Sequence, residues 1–232
     1  MNAAVVVATY NERENIASLV AAILCNPGYR VIVVDDNSPD GTGRIADTLA
    51  AASPDRLQVI HRTGPRGLGR SLIEGIKRAL AEGADLIFEM DADWSHDPKY
   101  LPAMAAAAED ADLVIGSRYL NGISVVNWPL HRIMLSTLAN RYIRFVTELS
   151  ARDCTSGFRC WRADCLANIP LDGVISDGYA FLVETLYLAH GIGCRIREVP
   201  IVFVERQRGS SKVSSSVLLE SIIVPWRLRL RP

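Results

Sequence analysis

Up to about Ser117 the chain alternates short apolar runs with longer Ala- and Leu-rich stretches, and that order restricts the fold more than any other feature. The runs at 4–8, 31–34, 57–60, 86–90 and 113–115 read as strands, and the stretches at 12–24, 42–51, 68–81 and 98–108 as helices. Pro98 suits the first turn of the last of these helices. Such alternation is that of β-α-β units feeding a mostly parallel sheet flanked by helices, a Rossmann-like α/β class. Past Ser117 the pattern lapses into a loop at 121–127, a helix at 131–149, a polar turn at 153–158, a helix at 178–190 and an alternating strand at 196–204. A polar stretch, 205–216, then precedes a final apolar helix.

A chain of 232 residues can bury one sizeable core, so one domain over 1–213 with a short helical tail over 214–232 is expected. Twenty-five basic against 26 acidic side chains give a net charge of -1, which excludes global attraction to nucleic acid or anionic lipid; any basic site must be local. Five cysteines, Cys25, Cys154, Cys160, Cys165 and Cys194, are odd in number and lack Cys-x-x-Cys spacing, so buried reduced thiols are expected rather than a disulfide framework or a zinc site. The chain runs into its first strand without a basic leader, and no segment has the ~20 apolar residues that span a bilayer. The expectation is a soluble protein, or one peripheral on the cytosolic side of a membrane.

Asp91-Ala92-Asp93 follows the apolar run 86–90, so two carboxylates emerge where a strand gives way to a loop, the place at which open α/β sheets bind ligands. Residues two apart share a face of an extended chain, and one hard cation, Mg²⁺ or Mn²⁺, could draw on both acids while keeping positions for diphosphate oxygens. Turn chemistry and helix capping explain the same acids without a ligand. Thr9-Tyr10-Asn11-Glu12 leaves the first strand with a ring on which a base could stack, or with an ordinary Asn cap. Asp36, after the second strand, can accept from ribose hydroxyls, whereas Pro39-Asp40-Gly41 is explained as a tight turn. No Gly-x-Gly-x-x-Gly follows the first strand and no Gly-Lys-Ser/Thr loop occurs, which disfavours dinucleotide and P-loop chemistry. Gly67-Leu68-Gly69 opens a helix, either as simple entry or as amides facing a phosphate. Arg118, Arg132 with Ser136 one turn on, Arg206 and Lys212 supply cations suited to phosphate oxygens or to plain surface positions. His61, His96, His131 and His190 show no metal-ligand spacing.

Taken together, DDNSPDGT from Asp35, DADWSH from Asp91, DCTSGFR from Asp153 and ERQRGSSK from Glu205 resemble family 2 glycosyltransferases of the GT-A fold. The likeness is to polyprenol-phosphate (dolichyl-phosphate) mannosyltransferases, also called polyprenol monophosphomannose synthases, over nearly the whole chain. It implies transfer of mannose from GDP-mannose to polyprenyl phosphate with inversion. The implied donor pocket comprises Ala8, Tyr10, Glu12, Val34 and Asp36, with Asp91, Ala92 and Asp93 at the diphosphate and Mg²⁺ or Mn²⁺. Ser95 stands where relatives place a third polar group near the metal. Arg118, Arg206 and Lys212 match phosphate-side residues, and Arg132 with Ser136 those that receive the lipid phosphate, together with Arg118 and Arg206. Ala8 replaces the family's usual Pro and Ser95 its frequent Gln. Many prokaryotic relatives carry transmembrane helices after the catalytic domain, so membrane contact here falls to the tail or to an integral-membrane partner.

A phosphate-monoester acceptor is largely anionic at neutral pH and needs no general base; a sugar hydroxyl would, and Asp153 is the candidate for that role. The tail, apolar from Val217 and ending in Arg227, Arg229 and Arg231, reads as an interfacial helix or as a helix packed on the domain, with Pro225 expected to kink or stop it. Two other readings stay open: transfer of glucose from UDP-glucose to the same acceptor, and a non-catalytic subunit that binds nucleotide sugars.

Overall fold

A computed structural model describes residues 2–205 and 215–230, the side chains of 215–221 excepted. The first half follows the expected alternation: β1 (Ala3–Thr9), α1 (Ile16–Leu24), β2 (Tyr29–Asp35), α2 (Thr42–Ala52), β3 (Leu57–His61), α3 (Leu68–Ala81), β4 (Leu86–Asp91), α4 (Leu101–Ala107) and β5 (Leu113–Ser117). Then come β6 (Val125–Val126), α5 (Leu130–Thr147), β7 (Arg159–Arg162), α6 (Ala163–Leu166), α7 (Gly178–Gly191), β8 (Ile196–Pro200), β9 (Phe203–Val204) and α8 (Ser215–Arg229). Seven strands form one sheet in the order β3-β2-β1-β4-β7-β5-β8, parallel except for β7. This is the α/β arrangement, with helices on both faces, that the alternation predicts.

Successive side chains of a strand point to opposite faces, so each central strand feeds two cores. Val6, Val34 and Ile87 meet Leu72, Ile76, Phe181 and Leu186 on one face; Val5, Val7 and Phe88 meet Ile16, Leu19, Leu101 and Met104 on the other. Gly75 lets α3 lie close on the sheet: a Cβ there would stand 2.4 Å from Val6 Cγ1 and 2.9 Å from Val34 Cγ2.

Five expectations change. α1 starts at Ile16 and not at residue 12, because Asn11 adopts φ 60° and residues 12–15 form a turn in which Asn15 and Ile16 N–H donate to the Glu12 carbonyl. The loop at 121–127 contains β6, and the strand expected at 196–204 breaks after Pro200, so that β8 pairs with β5 while β9 pairs with β6 in a separate ribbon. β7 was not expected: Arg159 and Arg162 disguise it, yet Arg159 is buried, its guanidinium satisfied by the carbonyls of Cys154, Ser156 and Leu182 and by Thr185 Oγ1. Cys165 and Cys194 form a disulfide, so the expectation of five reduced thiols fails; 29 residues separate them, and only the fold brings α6 beside the turn before β8. Cys154 and Cys160 are buried free thiols, and Cys25 is exposed. Finally, α8 continues through Pro225.

Candidate active site

Parallel strands bring their carboxyl ends to one edge, and there Tyr10, Asp36 and Arg118 follow β1, β2 and β5, and Asp91 ends β4, around a cleft of about 960 Å³. Of the residues expected at a site, Ala8, Tyr10, Glu12, Asp36, Asp91, Ala92, Asp93, Arg118 and Arg132 line it. Val34 is buried beneath it, and Ser95, Ser136 and Asp153 stand behind the lining. Arg206 and Lys212 lie outside the described residues.

On the side of β1 and β2, Arg66 carries its guanidinium 4.5 Å from the centroid of the Tyr10 ring. Glu12 accepts from Asn15 Nδ2 at 2.8 Å. Asp36 pairs with the buried Arg62 and accepts from the Gly67 N–H at 2.8 Å, while the Gly69 N–H donates to Asp177 at 2.7 Å. The amides of the Gly67-Leu68-Gly69 entry thus face carboxylates of the chain itself. Asp35, the other acid of the pair, points away, accepting from Thr9 Oγ1, Ser38 Oγ and the Ser38 N–H.

At the end of β4, Asp91, Ala92 and Asp93 all line the cleft, Ala92 being otherwise buried in the core. Trp94 holds φ 64°, a conformation that a bulky residue adopts only where its surroundings enforce it, and its Nε1 donates to Ser18 Oγ on α1 at 3.1 Å. That turn returns the Ser95 N–H to Asp93 Oδ1 at 3.0 Å. Ser95 Oγ is buried, with no hydrogen-bond partner among the described residues. Gly157 faces Asp91: a Cβ there would stand 3.6 Å from Asp91 Oδ1, so its absence leaves room before the acid. Two carboxylates, a spare hydroxyl oxygen and open space suit a hard cation that completes its shell with water and phosphate.

His96 also lines the cleft and was not singled out in the sequence, although it stands within DADWSH. Its Nδ1 accepts the Asp91 N–H at 3.1 Å, and its ring stacks on Phe158 with centroids 4.9 Å apart. Burial lowers its pKa, against the pull of Asp91 and Asp93, and the bond at Nδ1 requires a lone pair there; the ring is therefore neutral and fixes the strand end.

Arg118, 5 % exposed, meets Asp153, fully buried. Nε and Nη2 donate to the two Asp153 oxygens at 2.7 and 2.6 Å, the backbone N–H adds a bond of 2.9 Å, and Nη2 also reaches Thr155 Oγ1 at 2.8 Å. Burial alone would depress the Arg118 pKa; the charge and bonds of Asp153 outweigh it and raise the value. Among the described residues Nη1 makes no hydrogen bond. Arg132, on α5, pairs with Glu205 and lies 4.2 Å from the Trp128 ring centroid. Ser136 Oγ accepts from Tyr119 Oη at 2.7 Å. Trp128, Phe203 and Glu205 join the lining without having been expected, since no periodicity or spacing marks them.

The glycosyl transferase family 2 profile matches residues 4–169. The chain is 44% identical to polyprenol monophosphomannose synthase of Mycolicibacterium smegmatis over 98% of its own length and 87% of that protein. It is 43% identical to undecaprenyl-phosphate mannosyltransferase of Micrococcus luteus over 100% and 96% respectively. Among solved structures, glucosyl-3-phosphoglycerate synthase of Mycobacterium tuberculosis in complex with Mn²⁺, uridine diphosphate and glucosyl-3-phosphoglycerate superposes with a TM-score of 0.68 at 19% identity, covering 98% of this chain and 79% of that one. The sheet, the acids at the end of β4 and these matches agree: the chain belongs to glycosyl transferase family 2.

Proposed function

We propose that this enzyme transfers mannose from GDP-mannose to the phosphate of a polyprenyl (dolichyl) phosphate, giving the β-mannosyl phosphate lipid and GDP. The observation that carries the reading is that one cleft is lined both by the acids Asp91 and Asp93 and by two guanidinium-bearing residues, Arg118 and Arg132. The former suit a metal-bound diphosphate, the latter a second phosphate. The names of the relatives from M. smegmatis and M. luteus point to the same acceptor and sugar.

On this reading Tyr10 stacks the base and Asp36 accepts from the ribose, held in place by Arg62 and Gly67. Asp91 and Asp93, with Ser95 Oγ in reserve, would hold Mg²⁺ or Mn²⁺. That ion, when bound, stabilises the charge growing on the leaving diphosphate. Arg118 and Arg132, with Ser136, receive the acceptor phosphate, and the cations offset the repulsion between it and the donor diphosphate while aligning the nucleophile with the anomeric carbon. Arg206 and Lys212 are assigned to the phosphates by family resemblance. Because the acceptor is already anionic, no base is needed, and Asp153 acts through Arg118. Incubation with radiolabelled GDP-mannose and polyprenyl phosphate should yield a chelator-sensitive β-linked lipid product. An α-linked product would refute inversion, and stronger competition by UDP than by GDP would favour a uridine donor.

The membrane side of the reading rests on α5 and α8, joined where Tyr142 Oη donates to the Ile222 carbonyl at 2.7 Å. Val224 and Leu228 are buried against the domain, and Arg229 pairs with Glu148, so α8 is packed as well as amphipathic. Ile222, Ile223, Trp226 and Leu230 remain exposed, beside Leu130, Met134, Leu138 and Phe145 of α5, the last 81% exposed. No helix among the described residues is long and apolar enough to cross a membrane. These faces suit the interface of a cytoplasmic leaflet, where the acceptor resides. Ile223→Glu with Trp226→Glu should weaken liposome sedimentation roughly tenfold with little change in Tm; undiminished binding would remove the interfacial role.

A further inference from the structure

Trp128 lies close to both cations assigned to the acceptor. Its ring centroid is 4.2 Å from the Arg132 guanidinium carbon and 5.6 Å from that of Arg118, both within the range of a cation–π contact. Each guanidinium is tied to a carboxylate as well, Arg132 to Glu205 and Arg118 to Asp153. The ring is itself held: Phe203 packs edge-on at 5.4 Å, and Asn127 at φ 66° and Pro129 at the start of α5 fix the backbone on either side. Phe203 also meets Arg118 at 5.5 Å, and its strand β9 pairs with β6 just before the tryptophan. Among the described residues the buried indole Nε1 finds no hydrogen-bond partner, so what Trp128 offers its neighbours is the face of its π system.

We infer that Trp128 is a positioning residue for acceptor binding, a negative ring face that keeps the Arg118 and Arg132 guanidiniums in place together so that one phosphate can engage both. Arg118 is already fixed by Asp153, but Arg132, its side chain 29% exposed and paired only with Glu205 among the described residues, would otherwise swing away from a like charge into solvent, and a phosphate would have to restore the arrangement at its own expense. Carboxylates alone leave this unsolved, because among the described residues Asp153 and Glu205 each pair with a different arginine. The inference rests on the reading that Arg118 and Arg132 receive the lipid phosphate.

The test compares Trp128→Leu and Trp128→Phe with the wild type in steady-state transfer from GDP-mannose to a polyprenyl phosphate, with Tm measured for each. Trp128→Leu should raise the acceptor KM about tenfold, equivalent to ~1.4 kcal/mol, while the KM for GDP-mannose changes less than twofold. Trp128→Phe, which keeps a ring and loses no hydrogen bond, should return the acceptor KM to within about threefold of wild type. Site-specific mono-, di- and trifluorotryptophan at 128, which drain the ring face without changing its packing, should raise the acceptor KM stepwise. This series stands even if Trp128→Leu does not fold. Equal impairment by Leu and Phe, or a flat fluorination series in an active enzyme, overturns the role of the ring. A wild type that transfers nothing to polyprenyl phosphate overturns instead the reading beneath it.

Discussion

Asp93→Asn should lower mannosyl transfer by about 10³-fold with no significant change in Tm. Asp93 is 6% exposed, and its Oδ1 accepts the Ser95 N–H that closes the turn at Trp94. An amide oxygen in the same place can still accept that bond, so the turn should survive. What is removed is charge: one of two carboxylates that make the edge of β4 attractive to a divalent cation. Titration with Mn²⁺ in the presence of GDP should therefore show an affinity at least about tenfold weaker than wild type, in step with the lost turnover. A variant that keeps transfer within tenfold, or that loses it while binding Mn²⁺ normally, would sink the assignment of the acids to a metal-bound diphosphate. A scaffold that binds nucleotide sugar without turnover would show no transfer to lose.

The first half of the fold was legible because its strands are continuous apolar runs with helices between them, and burial on both faces leaves no other use for such runs. The bounds of α3 agree to the residue, since apolar positions at Leu72, Ile76 and Ala79 fall on one face and Gly83, at φ 70°, stops the chain just beyond. Tyr10, Asp36, Asp91 and Asp93 were legible for a related reason: position relative to a strand end is local information. β7 was not, because its place between β4 and β5 depends on partners more than 40 residues away, and a buried Arg159 imitates a surface residue. His96 fell within a quoted string but was tested only for metal-ligand spacing, whereas its contact with the Asp91 backbone depends on how the loop turns at Trp94. The Arg118 pairing with Asp153 spans 35 residues, and the disulfide 29; neither distance has a periodicity to betray it.

Asp153→Asn is expected to destabilise the enzyme strongly and to lower its transfer through Arg118. Both Asp153 oxygens are taken by Arg118, neither partner is more than 5% exposed, and the pair sits under the acceptor side of the cleft. Removing one charge strands the other in a medium where it is poorly solvated, a loss of ~3–5 kcal/mol for a buried pair. For a domain of this size that is a fall in Tm of roughly 10 °C. Transfer should drop by about 10²-fold at a temperature where the variant is folded, because Arg118 loses the contact that aims Nη1. Replacing both partners, Asp153→Leu with Arg118→Met, should recover most of the stability and none of the activity, since the charge left unpaired is then gone. The contrasting outcome is specific: if Asp153 removes a proton from a hydroxyl acceptor, Asp153→Asn, assayed at a temperature where it is folded, loses turnover altogether rather than about 10²-fold. The residual transfer of the folded single variant decides between them, and differential scanning fluorimetry on the single and double variants checks that the second substitution repairs the stability that the first one breaks.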